Sequence, residues 1–246
     1  MGPILSASQL PGRLYGISVG TGDPELITLK GLRYLREADV VAFPSGRHGQ
    51  PGIAEQIIAP WLAQCQVLLA LEFPYVQDET VLQVAWKKAA TEVWTYLKQG
   101  KTVAFACEGD VSFYSTFTYL AQALHHHHAD IPMEIVPGVS SPYAAAAALR
   151  IPLTVWGQRY VVLPALHQLH ELETVLAWAE VVVLLKVSSV YSQVWQILRQ
   201  RNLLARSWVV ERATHPNQVI YGDLSDRPTL QLSYFSLLII HNSPPH

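Results

Sequence analysis

"TVAFACEGDVSFYSTF", Thr102 to Phe117, is the stretch whose reading decides the fold. Its first six residues carry no charge and are mostly apolar. That length and character suit a strand buried on both faces, as in a parallel sheet. The strand runs straight into Glu108-Gly109-Asp110. An aromatic, hydroxyl-rich segment follows that reads as a helix over 114–124. A buried strand that stops on two carboxylates and a glycine is either turning or presenting its end to a ligand.

The same grammar extends in both directions. Strands are expected at 13–19, 40–43, 67–71, 102–107 and 133–136, with helices at 25–38, 52–63, 78–99, 114–124 and 141–149. This alternation predicts a mostly parallel α/β sheet. The rhythm restarts after Pro152. Strands are expected at 159–164, 181–187, 207–212, 218–222 and 235–240, with helices at 167–178 and 190–201. The last strands follow one another without helices, so this half should end in antiparallel hairpins. The expected organisation is a flexible tail at 1–12, an α/β domain at 13–152 and a second at 157–243.

Composition narrows the function. Of 246 residues, 50% are apolar and the formal charge is -2. Charges of both signs are scattered without a basic stripe, which argues against nucleic acid as a partner. No apolar run approaches the ~18 residues of a membrane span. The N-terminus lacks the charged and apolar regions of a secretory signal. Cys65 and Cys107 do not suggest a disulfide framework, so a cytoplasmic location is expected. His125 to His128 are consecutive, point different ways on a helix, and are not expected to chelate a metal. No metal is expected.

In open α/β sheets ligands gather at the carboxyl ends of strands. Four such junctions are rich in Gly and hydroxyls: "GTGDPEL" (20–26), "CEGDVSFY" (107–114), "PGVSSPY" (137–143) and "KVSSVY" (186–191). Each also has a structural reading. Asp23 and Ser141 can cap helices ahead of Pro24 and Pro142, and Asp110 can cap the helix after it. Four together indicate a ligand-binding rim. The dinucleotide fingerprint fails, because Glu25 stands where a third glycine belongs and no acidic residue closes the second strand. The P-loop and the nucleophile-elbow G-x-S-x-G are also absent.

The set "VGTGDPELITLKGLRYLREADVVAF", "EGDVSFYSTF", "VPGVSSPYAAAAALRIPLT", "LLKVSSVYSQVWQIL" and "ERATHPNQ" resembles the tetrapyrrole methylase family from about Arg13 to Ile240. Within it, the similarity is closest to the cobalamin-pathway branch acting at C20 of precorrin-2 or cobalt-factor II. The resemblance implies two α/β domains with an interdomain cleft, a homodimer, and S-adenosyl-L-methionine (SAM) as methyl donor. It assigns Glu108, Gly109, Asp110 and Phe113 to the methionine end of SAM, with Ser140 and Ser141 on the adjacent loop. Lys186 and Ala213 fall where relatives contact the adenine side. The resemblance places Thr21 and Asp23 on the first loop, expected to face the tetrapyrrole. Alignment-driven transfer leaves Asp110 as the catalytic candidate. Thr21 and Val111 stand where many relatives carry proline, and each restores a backbone N–H. The substrate's carboxylates require cations, and Lys30, Arg33, Arg47, Lys87, Lys88 and Arg159 are candidates, Arg47 foremost. Alternatives are a uroporphyrinogen-III methylase, the family's ribosomal-RNA branch, and a non-catalytic module that binds tetrapyrrole or SAM.

Overall fold

The run that ends at Cys107 forms β4 (Val103–Cys107), the central strand of a five-stranded sheet, with every residue buried. The computed structural model describes residues 11–46, 50–74, 76, 78–166 and 168–242. The chain packs as two compact units, Met1–Val139 and Ser140–His246.

In the first unit, β1 (Leu14–Ser18), β2 (Val40–Pro44), β3 (Val67–Leu71), β4 and β5 (Met133–Val136) take the order β3-β2-β4-β1-β5, all parallel. Their crossovers carry α1 (Leu29–Glu37), α2 (Ile53–Ile58), α3 (Glu79–Leu97) and α4 (Thr116–His127). Period-two alternation divides the strand residues between two cores. Val40, Ala42, Val103, Phe105 and Cys107 pack with Ala89, Val93, Leu97, Phe117 and Leu120 of α3 and α4. Val41, Phe43, Ala104 and Ala106 pack with Leu35, Ile57 and Ile58 of α1 and α2. A Cβ on Gly16 would lie 2.6 Å from the Phe117 ring, so glycine lets α4 sit close against β1. Helix starts follow local chemistry. Thr28 Oγ1 accepts from Gly31 N (3.1 Å), Asp78 Oδ1 from Thr80 N (2.9 Å), and Ser115 Oγ from Phe117 N (3.0 Å).

The second unit holds α5 (Ser141–Leu149), β6 (Tyr160–Leu163), α6 (Leu169–Leu176), β7 (Val181–Leu185), α7 (Tyr191–Gln200), β8 (Ser207–Glu211), β9 (Val219–Tyr221) and β10 (Ser236–His241). Its sheet runs β6-β7-β10-β8-β9. Only the β6–β7 ladder is parallel; β10 is antiparallel to both β7 and β8, and β9 to β8. Parallel pairing therefore dominates the first sheet, and the helix-free tail of the second supplies the antiparallel part. Because β10 opposes β7 and β8 alike, those two strands run in the same direction and end on the same edge of the sheet. No helix among the described residues is long and apolar enough to cross a membrane.

Candidate active site

Strands β1 and β4 are neighbours, yet the chain leaves β1 toward β2 and leaves β4 toward β5, on opposite sides. The loops after them diverge, and such a switch point opens a crevice at the carboxyl edge of a sheet. Two reciprocal hydrogen bonds join these loops at their bases: Gly109 N to Gly20 O (2.7 Å) and Gly20 N to Gly109 O (3.3 Å). The two junctions "GTGD" and "EGD", 89 residues apart by number, thus form one surface.

Asp110 holds this surface together. Its Oδ1 accepts from Ser112 N (2.9 Å) and from the Ser112 hydroxyl, and its Oδ2 accepts from Gly138 N, after β5, at 2.7 Å. Ser18 Oγ lies 3.5 Å from Oδ2. The single Ser18 proton goes instead to Val136 O (2.8 Å), and the same oxygen accepts Val111 N–H (2.8 Å). That bond needs the N–H that proline at 111 would lack. Burial pushes the Asp110 pKa up, but bonds from the Ser112 hydroxyl, Gly138 N and Ser112 N outweigh it and leave it below the ordinary value. Asp110 is therefore ionised at neutral pH. It does not cap α4, whose N-cap is Ser115. Its carboxylate clamps the ends of β4 and β5, with one Oδ2 lone pair left for an incoming donor.

Glu108 has the opposite environment. No hydrogen bond or ion pair from the described residues reaches its carboxyl, and burial pushes its pKa up to about 8. Between these two acids, Gly109 has φ +72, and a Cβ there would meet nothing within 4 Å. The backbone needs the left-handed region, and the space beside it is open. Phe113 is half-buried, with its N–H on Asp110 O (3.0 Å). Neighbouring Cys107 is no nucleophile: burial raises its thiol to about 12. Thr21 is buried, and Asp23 Oδ1 accepts from Glu25 N (2.9 Å), ahead of the Pro24–Leu26 turn.

In the second unit, Ser140 is the N-cap of α5 by position, but its hydroxyl makes no capping bond, and Ser141 and Pro142 open the helix. Lys186 follows β7 and Ala213 follows β8, on the shared edge. Lys186 (φ 54), Arg212 (φ 48) and Thr214 (φ 66) there are all left-handed without being glycine. Strained backbone of this kind is kept where structure around it fixes it, often at ligand sites. Buried Glu211 accepts from Ser233 N (2.5 Å) and Tyr221 OH (3.3 Å), and Lys186 Nζ stands 5.6 Å over the Tyr234 ring. The Ser233 and Ser236 hydroxyls beside them are buried without a hydrogen-bond partner among the described residues. Within the first unit, the open face of Gly109 and the Glu108 carboxyl, without a partner among the described residues, fit a polar, cationic cofactor.

Of the six cation candidates, three already have surface partners: Lys30 with Glu134 (2.5 Å), Lys88 with Glu72 (2.8 Å) and Arg159 with Glu180 (2.5 Å). Arg33 rests over the Tyr34 ring at 5.0 Å. Arg47 lies outside the described residues. The histidine run ends α4, where His128 stacks on Trp94 (3.6 Å between centroids). Among the described residues no group of three or more His, Cys, Asp or Glu is placed to hold a metal.

The sequence profile of the tetrapyrrole (corrin/porphyrin) methylases matches residues 13–227. The chain belongs to this family. As a tetrapyrrole methylase it is 30% identical to the cobalt-precorrin-2 C(20)-methyltransferase of Salmonella typhimurium, over 94% of this chain and 96% of that one. It is 35% identical to cobalamin biosynthesis protein CobIJ of Mycobacterium bovis, over 93% of this chain; there the chain spans about half the length of the relative (46%). Among solved structures, a cobalt precorrin-4 methyltransferase, CbiF, superposes with TM-score 0.72 at 23% identity, covering 99% of this chain and 100% of that one. A uroporphyrin-III C-methyltransferase from Thermus thermophilus, complexed with S-adenyl homocysteine, superposes at 0.65 with 22% identity, over 93% of this chain and 92% of that one. Both show the shared fold.

Sequence reasoning did not single out Ser18, Gly138, Glu211 or the paired Gly20 and Gly109 backbones of this tetrapyrrole methylase. Ser18 had a signal: one hydroxyl at the end of an otherwise apolar strand. Glu211 had another, as a lone carboxylate closing "SWVVE".

Proposed function

We propose that this chain transfers a methyl group from SAM to C20 of precorrin-2, or of its cobalt-loaded counterpart, in cobalamin biosynthesis. The observation that carries the reading is the Glu108-Gly109-Asp110 loop at the switch point of the first sheet. It offers open backbone, one clamped carboxylate and one carboxyl without a partner among the described residues. The Salmonella relative, similar over nearly its whole length, supports the choice of substrate.

SAM supplies a methyl already activated on a cationic sulfur, so the chain has mainly to align it. Alignment alone contributes up to ~7–11 kcal/mol. Gly109 lets the cofactor approach the backbone. Glu108 and the spare Oδ2 lone pair of Asp110 face its positive charges, with Phe113 as an apolar wall. Ser140, Ser141, Lys186 and Ala213 are the second unit's cofactor groups. Thr21, Asp23 and Arg47 are the candidates for the tetrapyrrole. The reduced macrocycle has an enamine-like meso carbon, so attack requires no strong base.

Incubation with SAM and precorrin-2, metal-free and cobalt-loaded in parallel, should give a product one methyl heavier from one of them. SAM binding without methyl transfer to either would reduce the chain to a non-catalytic binding module. We place the enzyme in the cytoplasm as a homodimer. Edge strand β3 is wholly apolar and leaves Leu68 50% exposed, a surface that a second copy would cover. Light scattering should report about twice the chain mass of 27.4 kDa. A stable species at the mass of one chain at micromolar concentration excludes the dimer.

A further inference from the structure

We propose that Tyr114 is a substrate-recognition residue whose ring stacks on a pyrrole-type face of the tetrapyrrole. The inference rests on the functional reading above. Within the first unit Tyr114 is the one described non-glycine residue with positive φ, +51. A bulky side chain in the left-handed region is strained, and glycine or asparagine would suit the position better. Burial does not offset the strain, since the residue is 58% exposed. No hydrogen bond from the described residues reaches the phenol hydroxyl.

The conformation is imposed from both sides. Phe113 N is tied to Asp110 O at 3.0 Å, and Ser115 is buried, caps α4 and meets Cys107 Sγ at 2.8 Å. The loop from Asp110 to Ser115 is thus pinned, and Tyr114 stands at its free crest. The Phe113 ring meets the Tyr114 ring edge-on, with centroids 4.7 Å apart, and helps hold it. This crest lies at the carboxyl end of β4, at the switch point. A rigid, outward aromatic at a site for a large conjugated ligand offers a stacking platform at little ordering cost. The methionine end of SAM has no ring to stack, and the groups assigned to its adenine lie on the second sheet. The macrocycle is the ligand with the matching chemistry.

The test uses the full-length Tyr114→Asn and Tyr114→Phe variants. Asparagine tolerates the left-handed backbone and removes the ring; phenylalanine keeps the ring and removes the hydroxyl. Binding of metal-free factor II, read by its absorbance and fluorescence, should weaken ~10-fold in Tyr114→Asn and stay within about twofold in Tyr114→Phe. The KM for precorrin-2 should move in parallel, while SAM affinity stays constant. The melting temperature of Tyr114→Asn should equal or exceed that of the wild type, which a packing role would not permit. The inference falls if Tyr114→Asn binds factor II like the wild type, if SAM affinity falls instead, or if Tyr114→Phe loses as much as Tyr114→Asn. A wild type that binds factor II without methylating precorrin-2 removes the catalytic reading, and the binding comparison then decides the role of Tyr114. Failure of the wild type to bind factor II overturns both.

Discussion

Asp110→Asn should lower both stability and SAM affinity, because the carboxylate is a structural clamp at a binding loop. The two carboxylate oxygens together serve the Ser112 N–H, the Ser112 hydroxyl and the Gly138 N–H. An amide has one acceptor oxygen, and its NH2 must face a donor. Either the Ser112 side or the Gly138 side is then left unmet. Both bonds are part-buried, and a donor left without a partner there costs ~1–3 kcal/mol, more when the lost bond was to a charge. Unfolding free energy should fall by roughly 2–4 kcal/mol, and the melting temperature by ~2–4 °C for each kcal/mol at this chain length. As the loop loosens, SAM affinity should drop ~100-fold, since a backbone site depends on fixed N–H and C=O directions. Calorimetric titration should use SAM itself, because its demethylated product lacks the sulfonium charge. An unchanged melting temperature refutes the clamp, and unchanged SAM affinity places the cofactor elsewhere. The pH sign is also set. The folded-state pKa of Asp110 lies below its ordinary value, so its stabilisation is present above that value and is lost as pH falls through the folded one.

Glu108→Gln should produce the reverse pH behaviour. In the folded protein this carboxyl holds its proton up to about pH 8, against 4.5 ordinarily, because burial penalises the charge. Its contribution to stability is complete below about pH 4.5 and fades as pH rises to about 8. A displacement of that size corresponds to at most ~4–5 kcal/mol, and a carboxyl in partial contact with water realises roughly 2 kcal/mol. Glutamine cannot ionise, so the ligand-free variant should be more stable than the wild type at pH 9 and close to it at pH 5. SAM binding should show the opposite preference. A cation beside Glu108 favours the carboxylate, so binding to the wild type at pH 7 should release close to one proton, and affinity should climb between pH 6 and pH 8. The variant should bind ~10-fold more weakly at pH 8 and release none. Calorimetry in two buffers of different ionisation enthalpy counts the proton. A count of zero in the wild type, or equal affinities, would falsify a cofactor-facing Glu108.

The contrast between these two acids shows how far local sequence reaches. Strand and helix positions were legible: "VAFAC", "VLLAL" and "MEIV" became β4, β3 and β5. Asp78 opens α3, and the helix read at 141–149 is α5, Ser141–Leu149. Apolar period, turn chemistry and capping act within a few residues, so they are written contiguously. The helix-free order of the last strands likewise announced the antiparallel half of the second sheet. The loop Glu108-Gly109-Asp110 could be singled out, but not the task of each residue. Asp110 looked equally suited to capping the next helix, yet it reaches Gly138, 28 positions on. Val111 N–H finds Ser18, 93 positions back. Glu108 differs from Asp110 because no donor among the described residues reaches its carboxyl. Strand order β3-β2-β4-β1-β5 placed the end of β1 beside that of β4, and so decided which groups meet. A carboxylate's ionisation and bonds are set by donors and dielectric within a few ångströms of it. Which residues occupy those ångströms is decided by the sheet, since strands far apart in the chain pack side by side to bury their apolar faces.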